Sequence, residues 1–347
     1  MTKTVVVCEA RVPFVRGGAE LLVDGLVDRL REHGHRAERV SIPFKWYPKD
    51  ALLSQVAAWR LVDLTEANGT PIDAVIATKF PTYFVRHPKK VTWLLHQYRA
   101  IYELCGTPYS EFDHTEADVN LRDRLIALDT DALSESAALF AIARNTASRL
   151  LKYNGLTAET LYHPPPLAGR LRTGPLGDYV LSVGRLEATK RVDLIIRALA
   201  HAGRTLRLVV AGEGPLRSRL EDVAQEAGVA ERVAFAGGLT EQPLADLYSG
   251  ALAVIFPPFD EDYGYVTLEA FLSRKAVITT TDAGGPLEFV QDGVTGLVVE
   301  PTSEALGAAM ARLDGNRRLA QALGDAGYER ATPITWDNVI ERLIAHA

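Results

Sequence analysis

Short β-branched runs recur along the whole chain, each followed by a stretch of helical periodicity, and this rhythm constrains the fold more than any other feature. It is the pattern of parallel strands covered by crossover helices, so the fold class is α/β. In the first half it predicts strands at Thr4 to Cys8, Asp73 to Ala77, Val91 to Leu95 and Leu139 to Ala143, with helices from about Ala19, Ala51 and Thr115. The second half repeats the rhythm at Tyr179 to Val183, Leu206 to Ala211, Val233 to Ala236, Ala251 to Phe256, Ala276 to Thr280 and Gly296 to Val299. Between the halves, His163-Pro164-Pro165-Pro166 and the following Gly169, Gly174, Pro175 and Gly177 interrupt both helix and strand. The expected division is therefore 1–165, a linker over 166–177, a second domain over 178–332, and an amphipathic segment over 333–347 around Trp336, Val339 and Leu343 that suits either domain.

Composition narrows the class of protein. Of the 347 residues, 47% are hydrophobic and 24% charged, enough for two ordinary cores, and no apolar run reaches the length of a membrane span. Met1 to Ala10 lacks the features of a signal peptide, so a cytoplasmic location is expected. Cys8 and Cys105 stand in unrelated contexts and read as buried thiols rather than a disulfide or zinc site. A net charge of -6 argues against a nucleic-acid partner. The mixed aromatic and basic stretch from Lys79 and Phe80 to Lys89 and Lys90 reads as a solvated loop rather than a membrane or acceptor patch, and peripheral membrane contact is not indicated.

Two such sheets joined by one connection are expected to form a cleft, with ligands beyond the carboxyl ends of the strands. After the strand ending at Phe256 comes Pro257-Pro258, then Glu261, Gly264, Tyr265, Val266, Thr267 and Glu269 at the start of a helix. Gly264 allows close backbone approach, and the amides of Tyr265, Val266 and Thr267 would point out of the helix start, a good phosphate site. Glu261 and Glu269 can accept hydrogen bonds from hydroxyls on either side of a diphosphate. They fit equally a solvated loop acid and a favourable charge near a helix start. Asp260-Glu261-Asp262 imitates a divalent-metal motif, but nearby cations can neutralise phosphates instead, and no metal is expected.

Those cations follow Gly184: Arg185 directly after a strand, and Lys190 at the opening of the next helix. Their alternative is a pair of surface charges. Gly17-Gly18 and Gly212-Glu213-Gly214 occupy similar strand-to-helix turns without completing a dinucleotide fingerprint. His96, just past Leu95, is a candidate for the reacting centre, though a lone histidine is more often structural.

Together these segments resemble glycosyltransferase family 4, on Glu261-x7-Glu269, Gly184-Arg185-Leu186 with Lys190, Gly17-Gly18, Ala211 to Pro215, Asp282 to Glu288 and the Trp336 segment. The resemblance implies a GT-B fold of two Rossmann-like domains facing across a cleft, an acceptor-side first domain, and a last helix returning to it. It further implies retaining transfer of a hexose-type sugar from a nucleotide-sugar co-substrate without a metal. Arg185 and Lys190 would hold the diphosphate, Glu269 the ribose and Glu261 the sugar hydroxyls, with His96 matching the family's histidine. The acceptor, whether sugar, lipid or small molecule, matches no motif. A nucleotide-sugar epimerase, a glycoside phosphorylase and a non-catalytic donor-binding protein share this architecture.

Overall fold

Val5, Val6 and Val7 are all buried at the centre of β1 (Thr4–Arg11), as a strand covered on both faces requires. In the computed structural model, which describes residues 1–347, β1 pairs in parallel with β2 (Arg36–Pro43). A small antiparallel hairpin, β3 (Glu66–Ala67) and β4 (Thr70–Pro71), stands apart. On its other side β1 pairs with β5 (Ala74–Ala77), and β6 (Lys90–Leu94), β7 (Ala138–Ala141) and β8 (Glu159–Thr160) complete a parallel sheet of order β2-β1-β5-β6-β7-β8. Helices α1 (Gly18–Glu32), α2 (Ala51–Leu61), α3 (Glu116–Ser134) and α4 (Arg144–Asn154) alternate with these strands. On α1, Leu22, Val23, Leu26, Val27 and Leu30 recur at helical spacing and are buried. Each contributes roughly 1.5–3 kcal/mol of transfer free energy.

The second sheet is built from β9 (Tyr179–Val183), β10 (Arg207–Ala211), β11 (Val233–Gly237), β12 (Ala253–Ile255), β13 (Ala276–Thr280) and β14 (Gly296–Val299). Its order is β11-β10-β9-β12-β13-β14, all parallel, which is the doubly wound Rossmann order. Helices α5 (Val192–Leu199), α6 (Arg217–Glu226), α7 (Glu241–Gly250), α8 (Tyr265–Leu272), α9 (Ser303–Gly315) and α10 (Arg317–Ala331) cover it. Small residues set how α10 meets α8: a Cβ on Gly327 would stand 2.3 Å from the Phe271 ring, and one on Gly324 would stand 2.2 Å from the Arg274 carbonyl. Only glycine lets these helices come so close.

Two compact units result, one of Met1–His163 with Thr335–Ala347 and the other of Pro164–Ile334. The last helix, α11 (Trp336–Ile344), therefore belongs to the first unit. There its Trp336 ring lies against Gly25 of α1, and Val339, Ile340 and Leu343 are buried. The glycine-rich run after the prolines packs on the second unit. The ammonium of Lys275 donates to the Gly174 carbonyl at 2.8 Å, and a Cβ on Gly177 would strike the Gly250 carbonyl. No helix is long and apolar enough to cross a membrane.

Some expectations are corrected. The stretch from Lys79 to Lys90 is no solvated loop, because Phe80, Tyr83 and Phe84 are core residues and Lys90 is itself buried. Its aromatics serve a buried turn, with charges only at the margins. Cys8 is buried, whereas Cys105 is only half-buried. The strand expected over Ala251 to Phe256 forms its ladder only at Ala253–Ile255.

Candidate functional site

The order of the second sheet reverses between β9 and β12, and ligands of doubly wound folds sit beyond the carboxyl ends of the strands at that point. The two loops leaving β9 and β12 are the ones that carry Arg185, Lys190, Glu261 and Gly264. Their backbones are sewn together: Phe259 N–H donates to Thr189 at 2.8 Å, Asp260 N–H to Asp282 at 2.9 Å, and Glu261 N–H to Ala283 at 2.8 Å. Gly285 N–H returns to Glu261 at 2.7 Å. The loops after β9, β12 and β13 thus form one hydrogen-bonded rim.

Glycines make this rim possible. Gly184 has φ +148°, and Gly212 passes so close to the Gly184 carbonyl that a Cβ would lie 1.9 Å from it. Gly214 is pressed on Leu186, where a Cβ would fall 2.6 Å from the carbonyl oxygen. Gly214, a candidate ligand-contacting residue, packs against the backbone of the Arg185 loop at Leu186. Lys190, expected to open the next helix, instead ends a short 3-10 turn (Ala188–Lys190), and α5 begins at Val192 after Arg191 in the left-handed region.

Side chains complete the rim in an arrangement that spacing alone does not show. The Lys190 ammonium forms an ion pair with the Glu261 carboxylate, both side chains mostly buried. A residue expected at the diphosphate and one expected at the sugar hydroxyls are therefore joined. Arg185 is half exposed and pairs with Glu187 at 2.9 Å. Arg191 grips Asp282 through both guanidinium arms at 3.0 and 2.6 Å and lies over the Phe259 ring. Bidentate pairing of this kind fixes both groups. No local pattern announces the Arg191–Asp282 clamp, whose partners lie 91 positions apart.

Gly264 precedes α8 with φ +84°, a conformation that glycine adopts freely. The helix start has no side-chain cap and no acid in its first turn. Thr267 does not offer its amide as expected, because that N–H donates to the Gly264 carbonyl at 3.0 Å and the residue is fully buried. Tyr265 and Val266 are the first two residues of the helix. Glu269 is buried in α8 and accepts at 2.6 Å from the Tyr248 hydroxyl of α7. Burial pushes its carboxyl up to about 7, the tyrosine hydrogen bond pulling only partly back. Nothing in the sequence marks Tyr248 as its partner.

The first unit holds the other candidates. Gly17 is the N-cap of α1, and its N–H already donates to the Glu20 carboxylate at 2.8 Å, while Gly18 opens the helix. Glu20 also pairs with Lys79 at 3.1 Å. Burial pushes the Glu20 carboxyl up, but Lys79 and the Gly17 amide outweigh it and hold it below its ordinary range. His96 follows β6, with Nδ1 2.7 Å from the Gln97 carbonyl, and its own carbonyl accepts from Phe80 N–H at 3.3 Å. No three His, Cys, Asp or Glu side chains gather as a metal site.

Two units of doubly wound parallel sheet, one carrying cations and an uncapped helix start at its switch point, make up the GT-B architecture. Residues 176–330 match the family described as glycosyl transferases, group 1. An uncharacterized glycosyltransferase of Methanocaldococcus jannaschii is 31% identical in an alignment covering 96% of this chain and 94% of that protein. The chain belongs to the group 1 glycosyltransferases. A D-inositol 3-phosphate glycosyltransferase of Nocardia farcinica is 30% identical over 61% of this chain, and this match spans 52% of that relative's length. Among solved structures, sucrose-phosphate synthase from Thermosynechococcus elongatus superposes with a TM-score of 0.80 at 18% identity, covering 99% of this chain and 98% of that one. HepE from Anabaena, solved in complex with UDP and glucose, gives 0.71 at 16% identity, covering 99% and 98%.

Proposed function

We propose that this chain moves a hexose-type sugar from a nucleotide-sugar donor to an acceptor hydroxyl, with retention at the anomeric carbon and without a metal ion, in the manner of glycosyltransferase family 4. The observation that carries the reading is the rim at the β9 and β12 switch point. Two cations, Arg185 and Lys190, stand there with the uncapped start of α8, a combination suited to a diphosphate. In this reading Glu261 meets the sugar hydroxyls and Glu269 the ribose, and the Lys190–Glu261 pair holds both groups in place until the donor enters.

The bond from the anomeric carbon to the diphosphate breaks as the acceptor oxygen attacks the same face. The acceptor proton passes to the departing phosphate oxygen, so no carboxylate base is needed. Arg185, Lys190 and the first amides of α8 stabilise the charge that gathers on the leaving group. A cytoplasmic place of action accompanies the reading.

A thermal-shift screen of nucleotides and nucleotide sugars tests the donor, since a bound donor raises the melting temperature by mass action. With that donor and an acceptor panel, the product should keep the donor's anomeric configuration by NMR and form equally in EDTA. Conversion of donor without acceptor, dependence on inorganic phosphate, or inversion at the anomeric carbon would refute the proposal.

A further inference from the structure

Asp129 of α3 is fully buried, yet it forms no ion pair and the proposed transfer makes no use of it. Burial pushes its carboxyl up to about 7. Three more polar side chains are buried with it: Tyr102 just after the 3-10 turn Arg99–Ile101, Asn154 at the end of α4, and Gln97 in the loop that leaves β6 directly behind His96. The Tyr102 hydroxyl donates to Asp129 at 2.7 Å, and the Asn154 amide nitrogen donates to Tyr102 at 3.3 Å and to Thr130 at 2.8 Å. The Gln97 amide nitrogen donates to Asn154 at 2.9 Å. Apolar side chains would join α3 to α4 at lower cost, since each buried polar group must offset its desolvation. What the polar chain adds is direction.

Tyr102 has one hydroxyl hydrogen and directs it at Asp129, so toward Asn154 the phenol oxygen only accepts. Thr130 repeats the constraint independently, because its hydroxyl donates to the Ile126 carbonyl at 2.8 Å and likewise only accepts from Asn154. The NH2 group of Asn154 must therefore face both hydroxyls, and its carbonyl oxygen faces Gln97. Gln97 in turn presents its own NH2 group, which leaves one orientation for its amide. The same residue meets His96 through its backbone. The Gln97 carbonyl lies 2.7 Å from His96 Nδ1, and a carbonyl only accepts, so Nδ1 carries the hydrogen and Nε2 is the basic nitrogen of the neutral ring. With its side chain anchored on Asn154, Gln97 keeps the peptide that orients the imidazole from turning.

We propose that Asn154, backed by Thr130, Tyr102 and Asp129, is a positioning residue that holds Gln97 so that the His96 imidazole keeps its Nδ1–H on the backbone and its Nε2 as a hydrogen-bond acceptor. The inference rests on the reading that places His96 at the reacting centre. There an accepting Nε2 takes a hydrogen bond from a hydroxyl, whereas a ring in the other tautomer offers a donor in its place. Asn154 touches neither substrate nor reacting atoms in this scheme, and acts only through Gln97.

NMR of the histidine ring nitrogens in the full chain at pH 8 tests the geometry without any substrate, with His96→Ala assigning the signal. Wild type should show the Nδ1–H tautomer of His96. Asn154→Leu and the near-isosteric Gln97→Met remove one hydrogen bond from its two ends, and each should move His96 to a mixture of tautomers. In transfer assays with the donor found by thermal shift, each should lower kcat about tenfold with donor KM within about twofold, and the double variant should lose no more than either single. Variants that melt lower yet keep the wild-type tautomer and kcat would reduce the chain to a pin between α3 and α4 and overturn the proposal. So would a loss of kcat in Asn154→Leu that is undiminished on a His96→Ala background. Full turnover in His96→Ala alone refutes the reading of His96 at the reacting centre, whereas an unmoved tautomer refutes the positioning, so the two failures are distinct.

Discussion

The two units present the same topological position with opposite electrostatics. In each, the strand order reverses beside the first strand of the sheet, and in each a glycine precedes a helix there or nearby. At the start of α1 the protein supplies its own anion: Glu20 closes on the Gly17 amide and draws in Lys79. At the start of α8 there is no acid in the first turn and no side-chain cap, and the neighbouring cation, Lys190, leans on Glu261 from another loop. A helix start satisfied from within offers little to a phosphate, and one left open offers more. Topology locates both places, but the charge on a few side chains separates them.

Substitutions can break this contrast. The largest effect is expected for Lys190→Ala, which should lower kcat about 100- to 1,000-fold through loss of charge stabilisation on the leaving group, measured with saturating donor. Lys79→Ala, beside the switch point of the first sheet, should change kcat by less than about threefold if the first unit does not receive the phosphates. A large loss in Lys79→Ala would erase the distinction.

Gly264→Ala comes next. The left-handed backbone costs about 1–2 kcal/mol for alanine, and the new Cβ would press on Pro286 and Phe256. Urea unfolding should show that loss, and donor affinity should fall with it.

Glu269→Gln should separate stability from binding. The buried carboxyl titrates near 7 when folded but in the ordinary carboxylate range when unfolded, so the folded state keeps a proton that the unfolded state gives up between those values. Stability of the wild type therefore declines as pH rises through that window. Melting curves should show Glu269→Gln more stable than wild type at pH 8 by roughly 2–3 kcal/mol, converging as pH approaches 5. Donor affinity at pH 8 should nonetheless drop about five- to tenfold. Equal pH profiles for the two proteins would remove Glu269 from the titration.

The smallest change is expected for Glu20→Gln, which weakens the cap and the Lys79 pair. It should cost about 1 kcal/mol near neutral pH. Because the Glu20 carboxyl is held low by Lys79 and Gly17 against its burial, its contribution is present above the ordinary carboxylate range and fades as pH falls through the lowered value. Calorimetry across pH 3 to 7 measures that, with donor affinity unchanged.

How much of this the chain discloses in one dimension depends on burial. Tyr179–Val183, Ala276–Thr280 and Gly296–Val299 form strands at their expected bounds, because each is spelled mainly in apolar or β-branched residues bounded by turn residues, Ser182 being the exception. β2 was not foreseen: Arg36, Glu38 and Arg39 put charge on an edge strand whose outer side meets solvent. The Lys79 to Lys90 stretch misled in the other direction, its terminal charges masking Tyr83 and Phe84 in the core. At the rim, glycines and cations were readable because each sits just after a strand. The Lys190–Glu261 pair was not, since 71 positions separate the partners and only the reversal of strand order brings their loops together. Tyr248 carries no local signal at all, as its role exists only once α7 packs beside α8.

The return of α11 has a consequence for the birth of the molecule. The first unit is assembled from two stretches of chain with the whole second unit between them, and Trp336, packed on Gly25, belongs to the later stretch. On the ribosome, the second unit has all its residues before the first has its own. The early segment must wait, with the Gly25 face of α1 uncovered, until Thr335–Ala347 emerges. A chain truncated after Ile334 should therefore show a protease-resistant second unit attached to a first unit that is still open to cleavage.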